Sequence, residues 1–427
     1  MFRTDLVHRP GDTDYDVERA GFQTADQHRP SAIFSVTGAA EVQAAVRFAR
    51  AQDLPIAVQA TGHGLSTVTE GGVLINTRRM SEVEVDPVAR TVRFTAGVRW
   101  GRVIEESARH GLAPLNGSSP DVGAVSYTLA GGLGILARSF GYAADHVRGI
   151  EIVTADGQLR HVSPGSEPDL FWALRGGGHN FGVVTAMTVD LFPVSRLYGG
   201  GLYFGTELIP DVLRSWRDWS RGLPEEWSSS VAVIPFPDLP MVPEPLRGRR
   251  VAHIRVAYTG DAASGEWVVA PLREIGPRLI DNLREMPYTE SHTICNDPAH
   301  PHSYAGDNAL MGDLSDEALA AVLNLPASSV IQLNHLGGAL AKQPAVGNAV
   351  GHRSAEYLVR LVAVGGTADV SSLAPWSIGR SLNFLFGAKS AEVVRSAYES
   401  ADFARLTSLK AEYDSANLFR CNHNFGA

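Results

Sequence analysis

The sequence predicts an α+β protein of two domains, and three observations predict it. Strand-like and helix-like segments alternate through the first half. Three glycine-rich stretches, residues 60–72, 130–134 ("AGGLG") and 175–182 ("RGGGHNFG"), fall within that half. After "FGVVTAMTVDLFPV" (181–194) the texture changes to apolar strands such as "SVAVIPF", "VAHIRVAYTG", "SVIQLNHLGGAL" and "EYLVRLVAVG". Helical segments such as "IPDVLRSWRDWSRGL" and "DEALAAVLNL" lie between them, the pattern of an antiparallel sheet with helices on one face. A length of 427 residues fits two domains or one large composite one.

The elements follow in order. "SAIFSV" (31–36) reads as a short strand. "AAEVQAAVRFARAQ" (39–52) carries Val42, Ala45, Val46 and Ala49 at helical spacing, with Thr37 as its expected cap. "LPIAVQ" is a β-branched strand, and His63 follows between Gly62 and Gly64. "EVEVDPVARTVRFTAGV" (82–98) reads as two strands around a turn near Asp86 and Pro87. "WGRVIEESARHG" is a helix stopped by Gly111. "GIEIVTADGQLRHV" is a hairpin with Asp156 and Gly157 in its turn.

Composition excludes several classes. An apolar share of 44% with 19% charged residues is that of a soluble globular protein with a substantial core. A net charge of -9 without a long basic run argues against nucleic acid as a partner. Two cysteines, Cys295 and Cys421, do not make a disulfide framework and fit a reducing compartment. "MFRTDLVHRPGD" lacks the apolar core of a leader, and no apolar run is long enough to span a bilayer. A cytoplasmic protein without a membrane partner is expected.

Glycines in strand-to-helix turns let consecutive backbone N–H groups converge on an anion, most often phosphate. Three such stretches in one domain point to a dinucleotide-sized ligand. Gly132, Gly134 and Ala137 formally match the nicotinamide-dinucleotide fingerprint, with Asp156 about 20 residues beyond. Asp156 sits in a hairpin turn, however, and "VSYTLAGG" is not a clear apolar strand. The nicotinamide reading is the weaker one.

The ordered series "HRPGDTDYD", "HRPSAI", "VQATGHG", "VGAVSYTLAGGLGILARSFGYAADHV", "PDLFWALRGGGHNFGVVT" and "LKAEYDSANLFRCNHNF" resembles the berberine-bridge-enzyme-like branch of the FAD-linked oxidases with the p-cresol methylhydroxylase and vanillyl-alcohol oxidase fold. The resemblance covers nearly the whole chain. It implies a two-lobed FAD-binding domain (1–195), an inserted antiparallel-sheet substrate domain (196–375) and a C-terminal segment (376–427) returning to the first. It also implies that the loop of Ala60, Thr61, Gly62 and Gly64 wraps the FAD pyrophosphate, while His63 bonds covalently to the flavin 8α-methyl carbon. Further contacts implied are Asn116, Ser118, Ser119, Val122 and Gly123 near the ring, and Tyr127, Gly131, Gly132 and Gly134 along the diphosphate and ribityl chain. Gly182 and Val183 should meet the adenine side, and Asn422 and Asn424 the isoalloxazine.

The departures from the family pattern carry information too. Ser119 stands where doubly attached relatives carry a cysteine, so a single covalent bond is expected. Gln59 replaces a frequent arginine, while Ser126 and His179 replace frequent glycines. Ser381 in "WSIGRSLNF" stands where many relatives place the tyrosine base, with Asn383 and Phe384 retained. A serine hydroxyl is a poor base without a partner. The candidates left for catalysis are Tyr127, Tyr304, His302, His335 and Asn383, or an ionisable group on the substrate. His292, Cys295, His300 and His302 match no standard zinc spacing, so no metal is expected.

The resemblance implies an FAD-dependent oxidase taking a hydride from a C–H next to oxygen or nitrogen of a small, secondary-metabolite or sugar-like substrate. Dioxygen would be the second substrate and hydrogen peroxide a product. The alternatives are a flavin dehydrogenase or oxidative cyclase with little oxygen reactivity, and a flavin-binding protein with reduced catalysis.

Overall fold

In the computed structural model, which describes residues 6–426, the alternation of the first half becomes two sheets. Residues 1–5 of the stretch tested above for a leader lie outside the described residues. The first sheet holds β1 (Val7–His8), β2 (Ala32–Ser35), β3 (Ile56–Gln59) and β4 (Val73–Asn76) in the order β1-β2-β4-β3. β2 and β3 both run parallel to β4. The helix Ala39–Ala51 connects β2 to β3 and buries the four apolar residues that predicted it. Its cap differs from expectation: Gly38 occupies the cap position, and Thr37 instead donates from its N–H and hydroxyl to Glu41. A carboxylate one turn inside the helix thus secures the entry.

The second sheet is antiparallel: β5 (Val83–Asp86), β6 (Thr91–Thr95), β7 (Val147–Val153), β8 (Leu159–Val162) and β9 (Val183–Asp190), ordered β5-β6-β9-β7-β8. The turn between β7 and β8 is where Asp156 and Gly157 placed it, with Gly157 at φ +75° and the Asp156 carboxylate accepting the Gln158 N–H. Residues 124–129 are a helix, Ala124–Leu129, not a strand, which removes the strand–turn–helix context of a nicotinamide fingerprint.

Residues 196–379 form one antiparallel sheet. Its strands are β10 (Arg196–Phe204), β11 (Trp227–Pro235), β12 (Arg250–Tyr258), β13 (Arg278–Asp281), β14 (Arg284–Pro287), β15 (Ala305–Met311), β16 (Val330–His335), β17 (Tyr357–Ala363) and β18 (Ser377–Gly379). Helices Ile209–Ser220, Ala262–Arg273 and Asp316–Leu323 cover one face, where Trp216, Leu272 and Leu319 pack against Ile254, Leu333 and Val359. Because side chains alternate along a strand, the neighbours Arg255, Gln332 and Arg360 point to the other face. That face looks toward the glycine loops of the first half.

The C-terminal segment returns to the first sheet. The Ile56 N–H donates to the Leu418 carbonyl over 2.8 Å, and Leu418 and Phe419 join the core of that sheet. Lys410 ties the return down. Its ammonium, 3% exposed, donates to the Asn180 carbonyl at 2.8 Å, the Phe419 carbonyl at 3.1 Å and the Asp414 carboxylate at 2.5 Å.

Candidate active site

A cavity of about 470 Å³ lies between the glycine loops and the open face of the large sheet. The loop after β3 enters it. Phe22 N–H donates to the Thr61 carbonyl (2.9 Å) and Gln23 N–H to that of Gly62 (3.1 Å). His302 N–H in turn donates to the Phe22 carbonyl at 3.1 Å, so a backbone ladder supports the loop from below. Gly62 is at φ +73°, and a Cβ there would lie 2.6 Å from Gly21 Cα. Gln59 donates to the Arg19 and Ala20 carbonyls and fixes the same junction.

His63 lies on the cavity wall, its ring stacked 3.8 Å from Phe22. Nδ1 is 2.8 Å from Thr61 Oγ1, and the buried Nε2 has no partner among the described residues. Burial, aided by the nearby Arg99 charge, lowers its pKa to about 4, so the imidazole is neutral at physiological pH. A buried polar nitrogen left without a partner by the protein is a place for a bound group to complete. The loop glycine Gly64, where a Cβ would meet nothing within 4 Å, leaves room beside it.

The expected contacts divide into wall and support. Ala60 to Gly64 line the cavity together with Ser118, Ser119, Val122 and Gly123. Tyr127, Gly134, Gly182 and Asn422 line it too. Asn116, Gly131, Gly132, Val183 and Asn424 lie behind the wall. Asn116 Oδ1 accepts the Tyr288 hydroxyl at 2.7 Å, and Val183 is fully buried in the core of the first sheet. Asn424 bonds Asn180 and Asn417, holding the C-terminal loop rather than facing the cavity. Gly132 N–H donates to Asn383 Oδ1 at 2.7 Å, while Asn383 Nδ2 donates to the Tyr127 carbonyl at 2.9 Å. Both ends of that amide are committed, so Asn383 positions the 127–132 turn.

The four other catalytic candidates all reach the cavity, in different states. The Tyr304 hydroxyl donates to the His63 carbonyl at 2.5 Å, and burial raises its pKa. Tyr127 is buried with its hydroxyl unpartnered, and burial raises its pKa as well. Neither phenol is a ready base. His335 Nε2 takes a hydrogen bond from Arg138 (3.1 Å), and burial lowers its pKa to about 3. His302 is different: Nδ1 lies 2.9 Å from the His300 carbonyl and must donate to it, which leaves the lone pair on Nε2. Ser381 is off the wall; its backbone pairs with the Asn308 amide at 2.7 and 3.0 Å.

Ser126 and His179 meet each other. Ser126 Oγ lies 3.0 Å from His179 Nε2, and both line the cavity. Arg255, Gln332 and Arg360 on the sheet face line the cavity as well, beyond the residues expected from sequence. Their signal was present: each is polar at an alternate position of an otherwise apolar strand. Among the described residues no cluster of three or more His, Cys, Asp or Glu is gathered as for a metal ion, and no helix is long and apolar enough to cross a membrane. Cys295 and Cys421 are both unpaired.

Residues 30–163 match the family model described as an FAD binding domain, and residues 382–425 the model "Berberine and berberine like". The chain is 28% identical to the (R)-6-hydroxynicotine oxidase of Paenarthrobacter nicotinovorans over 97% of its own length and 95% of that enzyme's. It is 27% identical to an FAD-linked oxidoreductase of Dictyostelium discoideum, over 90% of this chain and 86% of the relative. The crystal structure of 6-hydroxy-D-nicotine oxidase from Arthrobacter nicotinovorans superposes with a TM-score of 0.81 at 25% identity, covering 98% and 97% of the two chains. A chitooligosaccharide oxidase shares the fold with a TM-score of 0.83 at 21% identity, over 98% and 96%. The chain is an FAD-dependent oxidoreductase that carries an FAD binding domain and a berberine-like C-terminal segment on the p-cresol methylhydroxylase-type fold.

Proposed function

We propose that the protein is an oxidase with FAD attached through His63 alone, acting on a C–H next to oxygen or nitrogen of a small organic, secondary-metabolite substrate. FAD held there would supply the hydride acceptor, with dioxygen as the terminal oxidant and hydrogen peroxide as its product. The observation that carries the proposal is His63 itself: neutral, stacked on Phe22, and with one buried nitrogen unpartnered on the cavity wall. The Ala60–Gly64 loop and Gly123 would hold the phosphates and flavin edge, and Ser119 offers no thiol for a second bond. Two unpaired cysteines suit a reducing cytoplasm, where we place the protein.

His302 would accept the substrate's O–H or N–H proton at Nε2, with its Nδ1–H held by the His300 carbonyl. Tyr304 would act at one remove, pinning the His63 backbone. His302→Ala is therefore expected to lower kcat by about 10²–10⁴-fold with the flavin spectrum unchanged. Tyr304→Phe should keep kcat within a few-fold. A loss confined to Tyr304→Phe would reverse these roles.

The test of the oxidase reading is peroxide release in air with a panel of alcohols and amines, beside anaerobic bleaching of the flavin. Peroxide formed mole for mole with substrate oxidised is expected. Bleaching without peroxide would favour a dehydrogenase or cyclase. Absence of bleaching across the panel would favour a flavin-binding protein without catalysis.

A further inference from the structure

The protein as a whole is acidic, with 46 Asp and Glu against 37 Lys and Arg. The cavity wall has the opposite balance. Its charged members are Arg138, Arg255, Arg360 and a single carboxylate, Asp297. Arg138 is spent on protein groups: it donates to the Trp227 carbonyl at 2.7 Å and the Leu223 carbonyl at 2.8 Å, and contacts His335. Asp297 accepts the Ser118 hydroxyl and forms no ion pair with either remaining arginine. Arg255 and Arg360 thus face the cavity without an ion-pair partner among the described residues.

Their settings differ in a useful way. Arg255, 5% exposed, is held rigidly by His253 Nδ1 (3.2 Å), Gln332 Oε1 (3.0 Å) and the Cys295 carbonyl (3.2 Å). Arg360 lies with its guanidinium 3.7 Å over the Phe384 ring, and its buried Nε has no hydrogen-bond partner. The guanidinium of Arg360 makes no hydrogen bond or ion pair to any described residue. Burial, with the neighbouring Arg255 charge, lowers its pKa to about 10, although the Asp297 carboxylate pulls the other way. An unpaired buried cation is destabilising, and a fold retains one where a ligand completes it. The cofactor's phosphates are an unsuitable completion, because the glycine loops that would hold them belong to the first half of the chain, across the cavity from this sheet.

We infer that the substrate carries a carboxylate, bound by Arg360 with Arg255 behind it, on the open face of the large sheet. Stacked on Phe384, the Arg360 fork presents its free N–H edge for a two-pronged contact with a planar carboxylate. Gln332 is the cross-strand neighbour of Arg360 and already bonded to Arg255, so the three form one continuous recognition row. Ser228, Ser230 and Asn334 beside them offer hydroxyl and amide groups for the rest of a polar acid. This assignment rests on the cavity being the oxidase site, yet it is testable without turnover.

The experiment is a titration of the flavin-loaded protein with benzoate and with its neutral isostere benzamide, read as perturbation of the flavin absorbance. Benzoate is expected to bind about tenfold or more tightly than benzamide. Arg360→Gln and Arg255→Gln should each erase that preference while leaving benzamide affinity unchanged, and Arg360→Lys should retain part of it. Equal binding of the two probes, binding of neither, or a preference that survives Arg360→Gln would overturn the assignment. So would a drop in the flavin's affinity for sulfite in Arg360→Gln, since the guanidinium would then be serving the flavin. If the purified chain held no flavin, the oxidase reading would fall, and calorimetry with the same two probes would still decide the carboxylate site.

Discussion

Gly62→Ala is expected to strip the protein of attached flavin, while Gly64→Ala, two residues on, retains more of it. Gly62 holds φ at +73°, where a side chain costs roughly 1–2 kcal/mol by itself. The new methyl would also lie 2.6 Å from Gly21 Cα and 3.1 Å from Phe22 N, and backbone cannot swing aside as a side chain would. The resulting shift falls on Phe22, whose ring fixes the plane of His63. Position 64 has no such neighbour within 4 Å and no positive φ. The pair is read by flavin remaining on the acid-denatured chain and by the thermal midpoint. Equal flavin content in the two variants would show that the loop is not the attachment frame.

Lys410→Met should destabilise the protein by about 3–5 kcal/mol, the range for a buried ion pair that loses one partner. The Asp414 carboxylate would stay behind, buried, accepting N–H groups of Leu418 (2.8 Å) and Phe419 (2.9 Å) but with no cation. The effect reaches the cavity, because Phe419, Cys421, Asn422 and His423 on its wall follow directly from this clamp. Urea unfolding should show a lower midpoint, and a second substitution, Asp414→Asn, should recover part of the loss by removing the stranded charge. A midpoint within the range of ordinary surface changes, about 0.5 kcal/mol, would mean that the C-terminal return is held elsewhere.

What could be seen in the sequence was what local physics decides. The β7–β8 hairpin follows from Asp156 and Gly157, and the helix Ala39–Ala51 from the spacing of four apolar residues. Gly62 and Gly64 around an imidazole already suggested a close approach of backbone to a ligand. Thr37 was misassigned as a cap because Gly38 and Glu41 compete for the same job within four residues. Contacts between distant segments were out of reach of spacing arguments. Asn383 meets Gly132 across 251 residues of chain, and Tyr304 meets the His63 carbonyl across 241. Only the way the segments at 304 and 383 run past the glycine loops brings them together. The Arg255–Gln332–Arg360 row lies between these cases. Each residue breaks the apolar run of its strand, but the row exists only once β12, β16 and β17 share a face.

The most direct test of the central claim is flavin fluorescence of the acid-precipitated, gel-resolved chain, for the native protein and for His63→Ala. Fluorescence that stays with the native chain and disappears from the variant is the predicted result, with both proteins folded by circular dichroism. Flavin released into the supernatant by the native protein, or retained by His63→Ala, would contradict attachment through His63.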